Sequence, residues 1–176
     1  MQQIISLFLP LLFITTATLA QTPKIGFTDP QQVLEKLPEF KIKQSEFEDY
    51  KKVLAKQMET KQQAFQAALQ AGEAKVQGGA APVEIQQIRE NLEKMQQELV
   101  QLEQESNQKL AKKNDELITP LFDKIIKAID DVAKEGSYDF IITRTDATGS
   151  EILLYGKEEL DITNLVLKKM GVTVSE

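Results

Sequence analysis

The chain has 176 residues with no cysteine, histidine or tryptophan, and 27 acidic residues against 21 basic ones give it a net charge of −6. Without cysteine and histidine it has no thiol nucleophile, no serine-histidine relay, no zinc finger and no disulfide. We therefore predict a protein that is not an enzyme, that uses no metal or cofactor and, given its acidic balance, that does not bind nucleic acid.

The first twenty residues are predicted to be a secretory signal peptide. The apolar run Ile4–Ile14 covers 11 residues, whereas a membrane-spanning helix needs about 20. Small residues follow and end in Thr18-Leu19-Ala20. We expect export, cleavage after Ala20 and no stable membrane insertion of the mature chain. A retained N-terminal anchor is the alternative, because no lysine or arginine precedes the apolar run.

The mature chain is predicted to begin with a short strand, a short helix and a long helix. Polar and apolar residues alternate over 24–28, which predicts the strand. Asp29-Pro30 is a helix start, and the helix that follows must end before Pro38. Residues 39–77 are rich in Ala, Gln, Lys and Glu, which predicts a first long helix.

A second long helix is predicted after a break near 78–82, where two glycines and Pro82 interrupt the pattern. Its apolar residues recur in steps of three and four and form a heptad seam: Ile85, Ile88, Leu92, Met95, Leu99 and Leu102. From Leu117 to Val132 the apolar face widens, so this part should be buried more deeply than the rest. Gly136 is predicted to end the helix.

The tail predicts two further strands and a closing helix. Residues 138–143 and 152–155 are rich in β-branched and aromatic side chains, and the loop over 145–150 predicts that they form a hairpin. Asp161 is predicted to cap a last helix that Gly171 ends. The predicted core of the sheet, and of the oligomer that it builds, is Ile25, Phe27, Phe140, Ile142, Leu153 and Tyr155.

These elements predict an α+β fold. A long antiparallel helical hairpin, a coiled-coil tentacle over residues 38–117, stands on a small β body that the chain ends form from residues 21–37 and 118–176. Three strands with open edges and one slender hairpin bury little surface alone. We therefore predict an obligate homo-oligomer that joins through the β body and encloses a space between its arms.

Several short motifs in this chain resemble those of the OmpH/Skp family of periplasmic chaperones. They are Lys24–Asp29, Leu37–Lys41, Tyr138–Ile142, Leu153–Tyr155 and Asp161–Thr163. The order of elements is similar from Lys24 to about Val172. The resemblance implies a jellyfish-shaped homotrimer in the periplasm that acts as an ATP-independent holdase for unfolded outer-membrane proteins. The sequence has no glycine-rich phosphate loop, which agrees with independence from ATP.

The arm is the predicted client-binding region. Phe47, Tyr50, Met58 and Phe65 do not keep a strict heptad, so they are the candidate client-binding residues, with packing inside the hairpin as the alternative. Well-known members of the family are basic, whereas residues 84–116 here carry eight acidic and five basic side chains, so electrostatic capture by basic arms is not carried over to this chain. The alternative function is a structural coiled-coil protein of the envelope, a spacer or assembly factor for a folded partner.

Overall fold

The computed structural model describes residues 22–146 and 148–174, so the predicted signal peptide and its cleavage step lie outside the described residues. The helices and strands are β1 (Ile25–Thr28), α1 (Pro30–Lys36), α2 (Pro38–Gln77), α3 (Pro82–Glu135), β2 (Phe140–Thr143) and α4 (Thr163–Lys169), with a 3₁₀ turn at Glu158–Leu160. The protein is mostly helical, with two long helices and a small sheet. The structure contains one chain, so the trimer and the division into body and arm remain predictions.

Prolines set the boundaries of the first three helices. Pro30, Pro38 and Pro82 are the first residues of α1, α2 and α3, where a missing N–H costs nothing. Asp29 caps α1, because its Oδ1 accepts the N–H groups of Gln31 and Gln32 at 3.0 and 3.1 Å. The short helix, the break before Pro38 and the first long helix were therefore predicted correctly.

The two long helices form an antiparallel hairpin with a tight tip. Residues 78–81 connect α2 to α3, and Gly79 takes the left-handed φ of +84° that the turn requires. The N–H of Ala80 donates to the carbonyl of Lys75 at 3.1 Å, which closes the end of α2. At 1.5 Å per residue, the 40 residues of α2 extend about 60 Å.

The helices approach closely near the tip because α2 has a glycine there. Gly72 is buried, and a Cβ atom at this position would lie 2.7 Å from Cγ2 of Ile88 on α3. Real Cβ contacts are longer than 3.0 Å, so the Ile88 side chain or one of the helices would have to shift to admit a side chain. Gly72 thus allows the distal part of the arm to pack tightly.

Replacing Gly72 tests this packing. In a solvent-exposed helix, Gly→Ala raises stability by about 0.5–1 kcal/mol, but we expect Gly72→Ala to lower the melting temperature, because the added methyl group meets Ile88. The double variant Gly72→Ala/Ile88→Ala should recover part of the loss. Thermal unfolding followed by circular dichroism measures both effects; a higher melting temperature for Gly72→Ala would contradict the close approach.

The main core lies where α1 and α4 pack on the base-proximal part of α3. The buried members of this cluster are Val33, Leu34, Leu37, Leu121, Ile125, Ala128, Val132, Ile162, Val166 and Leu167. The seam residues of the arm are only half-buried. The predicted deeper burial of α3 beyond Leu117 is therefore confirmed, and the base of the hairpin contains the main hydrophobic core.

The sheet joins the two ends of the chain. β1 and β2 are parallel, with Ile25 beside Phe140 and Thr28 beside Thr143. The N–H of Ile162 donates to the carbonyl of Phe27 at 2.9 Å, so the segment before α4 lies along the other edge of β1. The predicted meeting of the chain ends at the base of the hairpin is confirmed.

The predicted hairpin between 138–143 and 152–155 is wrong. Residues 152–155 form no strand, and the isolated antiparallel bridge between Thr145 and Glu151 beside the loop does not continue into a ladder. The carbonyl of Arg144 accepts the N–H groups of both Ile152 and Leu153, which turns the chain away from β2. The chain then passes over the ring of Phe27 at Gly156 on its way to the far edge of β1. Leu153 and Tyr155 are therefore not strand residues.

Candidate functional site

The clearest surface feature of the arm is an apolar groove between α2 and α3, about midway along the hairpin. We call it the mid-arm groove. Its apolar lining is Met58, Phe65, Leu69, Leu99 and Val100, and its polar lining is Gln62, Gln66, Gln96 and Glu103. The groove is open along its length, so it could accept an extended chain more readily than an enclosed small molecule.

The structure places two of the four sequence-predicted arm residues in this groove. Met58 and Phe65 are both half-buried there, seven residues apart on α2. Phe47 and Tyr50 lie closer to the base and do not line it. The ring of Tyr50 faces the ammonium group of Lys113 on α3 at 5.9 Å, a contact within the hairpin. A role of these four residues in client binding remains a prediction.

Sequence reasoning did not assign Leu69, Leu99 and Val100 to the site. Leu99 belongs to the seam, and Val100 follows it one position outside the seam, where its side chain is 51% exposed. The sequence signal was therefore the adjacent pair Leu99-Val100, one residue facing α2 and the other widening the apolar surface toward solvent. The α2 residues that lie opposite Leu99 and Val100 follow only from the register in which the two helices pack, and the sequence does not show that register.

Two ion pairs connect the helices in that register. Lys61 on α2 contacts Glu98 on α3, and Lys113 on α3 contacts Glu46 on α2, each at 2.6 Å between nitrogen and oxygen. The hydrogen bond from Lys113, with a second from Lys43, holds the pKa of Glu46 below its ordinary value. The hydrogen bond from Lys61 likewise lowers the pKa of Glu98. These carboxylates therefore stay charged under mildly acidic conditions.

The second notable surface is an apolar patch on the outer side of the sheet. We call it the sheet patch; it comprises Ile25, Phe140 and Ile142 on the strands, together with the exposed Leu154 and Tyr155 of the segment that leads to Gly156 at the Phe27 ring. Phe140 is 61% exposed, and Leu154 and Tyr155 are more than 80% exposed. Phe27 differs from these neighbours, because Gly156 and Arg144 cover its ring and leave it 3% exposed. The assignment of these residues to an oligomer core remains a prediction.

The described residues offer no arrangement typical of metal chemistry. Over 22–146 and 148–174, no three acidic side chains come together in a way that could hold a metal ion. Within the same ranges, no helix combines the length and apolarity needed to cross a membrane. The features that stand out are thus two apolar surfaces, one on the arm and one on the base.

The fold is thus a long antiparallel helical hairpin that projects from a small core of short helices and two parallel strands. Residues 24–170 match the family described as outer membrane protein (OmpH-like), and the chain belongs to this family. The resemblance stated from the sequence motifs is confirmed.

A solved structure has a similar fold. The crystal structure of a candidate outer membrane chaperone (OmpH-like) from Caulobacter crescentus CB15 superposes with a TM-score of 0.70. The two sequences are 12% identical, and the match covers 84% of this chain and 83% of that chain. A search of curated proteins gives no match.

Proposed function

We propose that this protein is an ATP-independent holdase of the periplasm that binds unfolded outer-membrane proteins along its arms and prevents their aggregation. Membership of the OmpH-like family supports the chaperone class, and the C. crescentus protein of similar fold is described as a candidate outer membrane chaperone. The observation that carries the proposal is the mid-arm groove, an apolar surface left open on a hairpin that has no deep pocket there.

A shallow, open apolar groove has the binding properties that a holdase needs. An unfolded client offers many short apolar segments, and a shallow surface can bind them weakly and exchange one for another. Binding also keeps client strands apart, which prevents the edge-to-edge pairing that leads to aggregation. Several arms acting together would raise the effective concentration of such weak sites.

We also propose that the active form is a homotrimer joined through the sheet patch. Large apolar side chains such as Leu154 and Tyr155 are rarely left this exposed together on a monomer surface. In the described part of the chain no further strand pairs with the outer edge of β2. An interface between copies would cover the patch and add partners at this edge, and the arms would then project from one shared base.

Light scattering during dilution of a denatured outer-membrane β-barrel protein tests the holdase. The wild-type protein should suppress aggregation at about one oligomer per client. Leu69→Ser/Val100→Ser removes exposed apolar surface from the groove and should weaken client binding by about fivefold, from about 1 kcal/mol of lost apolar contact.

The matched control is Ile42→Ser/Val53→Ser, which removes two apolar residues of α2 that lie outside the groove and are more exposed, at 66% and 54% against 39% for Leu69 and 51% for Val100. It should suppress aggregation like the wild type. Failure of the wild-type protein to suppress aggregation would contradict the holdase and favour a spacer with a folded partner. An equal loss of aggregation suppression in the two double variants would show that the groove is not the client-binding surface.

The oligomer has its own test. Phe140→Asp introduces a charge into the sheet patch, and we expect it to convert the trimer to monomers at micromolar concentration, because a charge buried in an interface is strongly unfavourable. The control Val53→Asp changes a comparably exposed residue on the arm and should remain trimeric. Multi-angle light scattering measures both masses. A trimeric Phe140→Asp variant with native circular dichroism would place the interface elsewhere.

A further inference from the structure

The polar side chains around the mid-arm groove are unusual in having no cation among them. The neighbouring exposed face of α3 adjoins the groove at Gln96 and Val100 and adds Glu93 and further glutamines. Neither surface is lined by a lysine or arginine. The charge contributed by this combined surface is therefore entirely negative.

The two carboxylates on this surface are unpaired within the described residues. Glu93 and Glu103 are both exposed, and no ion pair or hydrogen bond joins either carboxylate to another described side chain. The nearest cations along α3 are Lys94 and Arg89 for Glu93 and Lys109 for Glu103, and none of the three lines the two surfaces. The carboxylates are thus available to a cationic partner.

The charge of the arm changes sign along its length. Residues 62–107, the distal part, have seven acidic and three basic side chains. The part nearer the base, residues 38–61 and 108–117, has nine basic and seven acidic side chains. The groove residues other than Met58 therefore lie in the part of the arm that has a net negative charge, whereas the part nearer the base has a small net positive charge.

We infer that the mid-arm groove selects extended client segments in which apolar side chains are flanked by lysine or arginine. This inference rests on the proposed holdase function and specifies the class of segment that the groove binds. The apolar lining binds the apolar side chains, and Glu93 and Glu103 bind the cations. Segments with carboxylates in place of the cations are repelled.

The spacing of the two carboxylates sets a preferred spacing in the client. Glu93 and Glu103 are ten residues apart on α3, which turns them about 80° from each other around the helix, with Glu103 in the groove and Glu93 on the adjoining face, and separates them by about 15 Å along its axis. An extended chain covers that distance in about four to five residues, at about 3.3 Å per residue. Two basic residues four apart, which point to the same side of an extended chain, match this distance.

Matched peptides test the inference on the full chain. We would use unfolded 15-residue peptides that share the same apolar residues and differ only at two positions four apart, which carry lysine, glutamine or glutamate. Fluorescence anisotropy should give an affinity for the lysine peptide about fivefold higher than for the glutamine peptide, since exposed ion pairs are individually weak. The preference should diminish at high salt.

The variant Glu93→Gln/Glu103→Gln should lose the preference for lysine and keep its affinity for the glutamine peptide. The control Asp115→Asn/Asp123→Asn removes two exposed α3 carboxylates that line neither surface, and should keep the preference. Equal losses in both variants would mean attraction by net charge alone and would overturn the inference, as would equal affinity of the wild type for all three peptides. The holdase itself fails only if the wild type also fails to suppress aggregation of the barrel protein.

Discussion

Removal of the distal arm is expected to abolish suppression of client aggregation while leaving the oligomer intact. The variant deletes residues 55–105 and joins Leu54 to Ser106 through a short glycine-containing loop. Every buried member of the main core lies outside this segment, and the ion pair between Lys113 and Glu46 remains to hold the shortened helices together. The mid-arm groove is lost completely. Light scattering of a diluted barrel protein measures the activity, and multi-angle light scattering measures the mass.

A shorter deletion serves as the control. Replacing residues 74–87 with the same short glycine-containing loop takes away the tip and keeps every residue that lines the mid-arm groove. We expect this variant to retain most of the suppression. Full activity of the long deletion would show that the base holds the client, and loss of the trimer in the same variant would mean that the arms contribute to assembly.

The second large effect is expected in the core of the base. Ile125 is fully buried where α1, α3 and α4 meet. Replacing it by alanine removes several methyl and methylene groups and leaves a cavity, so Ile125→Ala should lower the free energy of unfolding by about 2–5 kcal/mol. Urea unfolding followed by circular dichroism measures the change at a fixed protein concentration.

Ile42→Ala provides the comparison for this variant, because it is the same substitution in a helix at a largely exposed site. We expect a change within about 0.5 kcal/mol, as is usual for surface sites. If Ile125→Ala were equally mild, the packing of α1 and α4 on α3 would not be the source of the stability of the base.

We propose separate functions for the two apolar surfaces, assembly for the sheet patch and client binding for the mid-arm groove. The sheet patch lies on the base, and the mid-arm groove lies on a hairpin about 60 Å long. Assembly and client binding should therefore respond to different substitutions, Phe140→Asp for assembly and Leu69→Ser/Val100→Ser for binding. A single surface that served both purposes would make these variants fail together.

Local sequence patterns predicted the hairpin well. The apolar repeat from Ile85 to Leu102, the glycines near residue 78 and the prolines that begin the first three helices are signals that depend on residues close together in the chain. Helical periodicity and turn chemistry act over that range, so both long helices and their tip followed from the chain itself. The apolar face beyond Leu117 likewise predicted where the core of the base would lie.

The sheet could not be predicted in the same way. An apolar run such as 152–155 is compatible with a strand, with a core segment or with an exposed interface, and only the tertiary structure decides among them. Here the segment turns away at Arg144 and crosses Phe27, which left Leu154 and Tyr155 exposed. Pairing of Ile25 with Phe140 joins residues far apart in the chain, and no local signal encodes it.

The sequence by itself determined the helical hairpin, its tip, the buried face of α3 beyond Leu117 and the family. The tertiary structure alone decided the parallel pairing of β1 with β2, the path of residues 144–162 and the grouping of Met58 and Phe65 with Leu99 and Val100. The physical reason is the range of the interactions. Helices and turns form through contacts between near neighbours, whereas a sheet register and a groove between two helices depend on which distant residues the whole fold brings together.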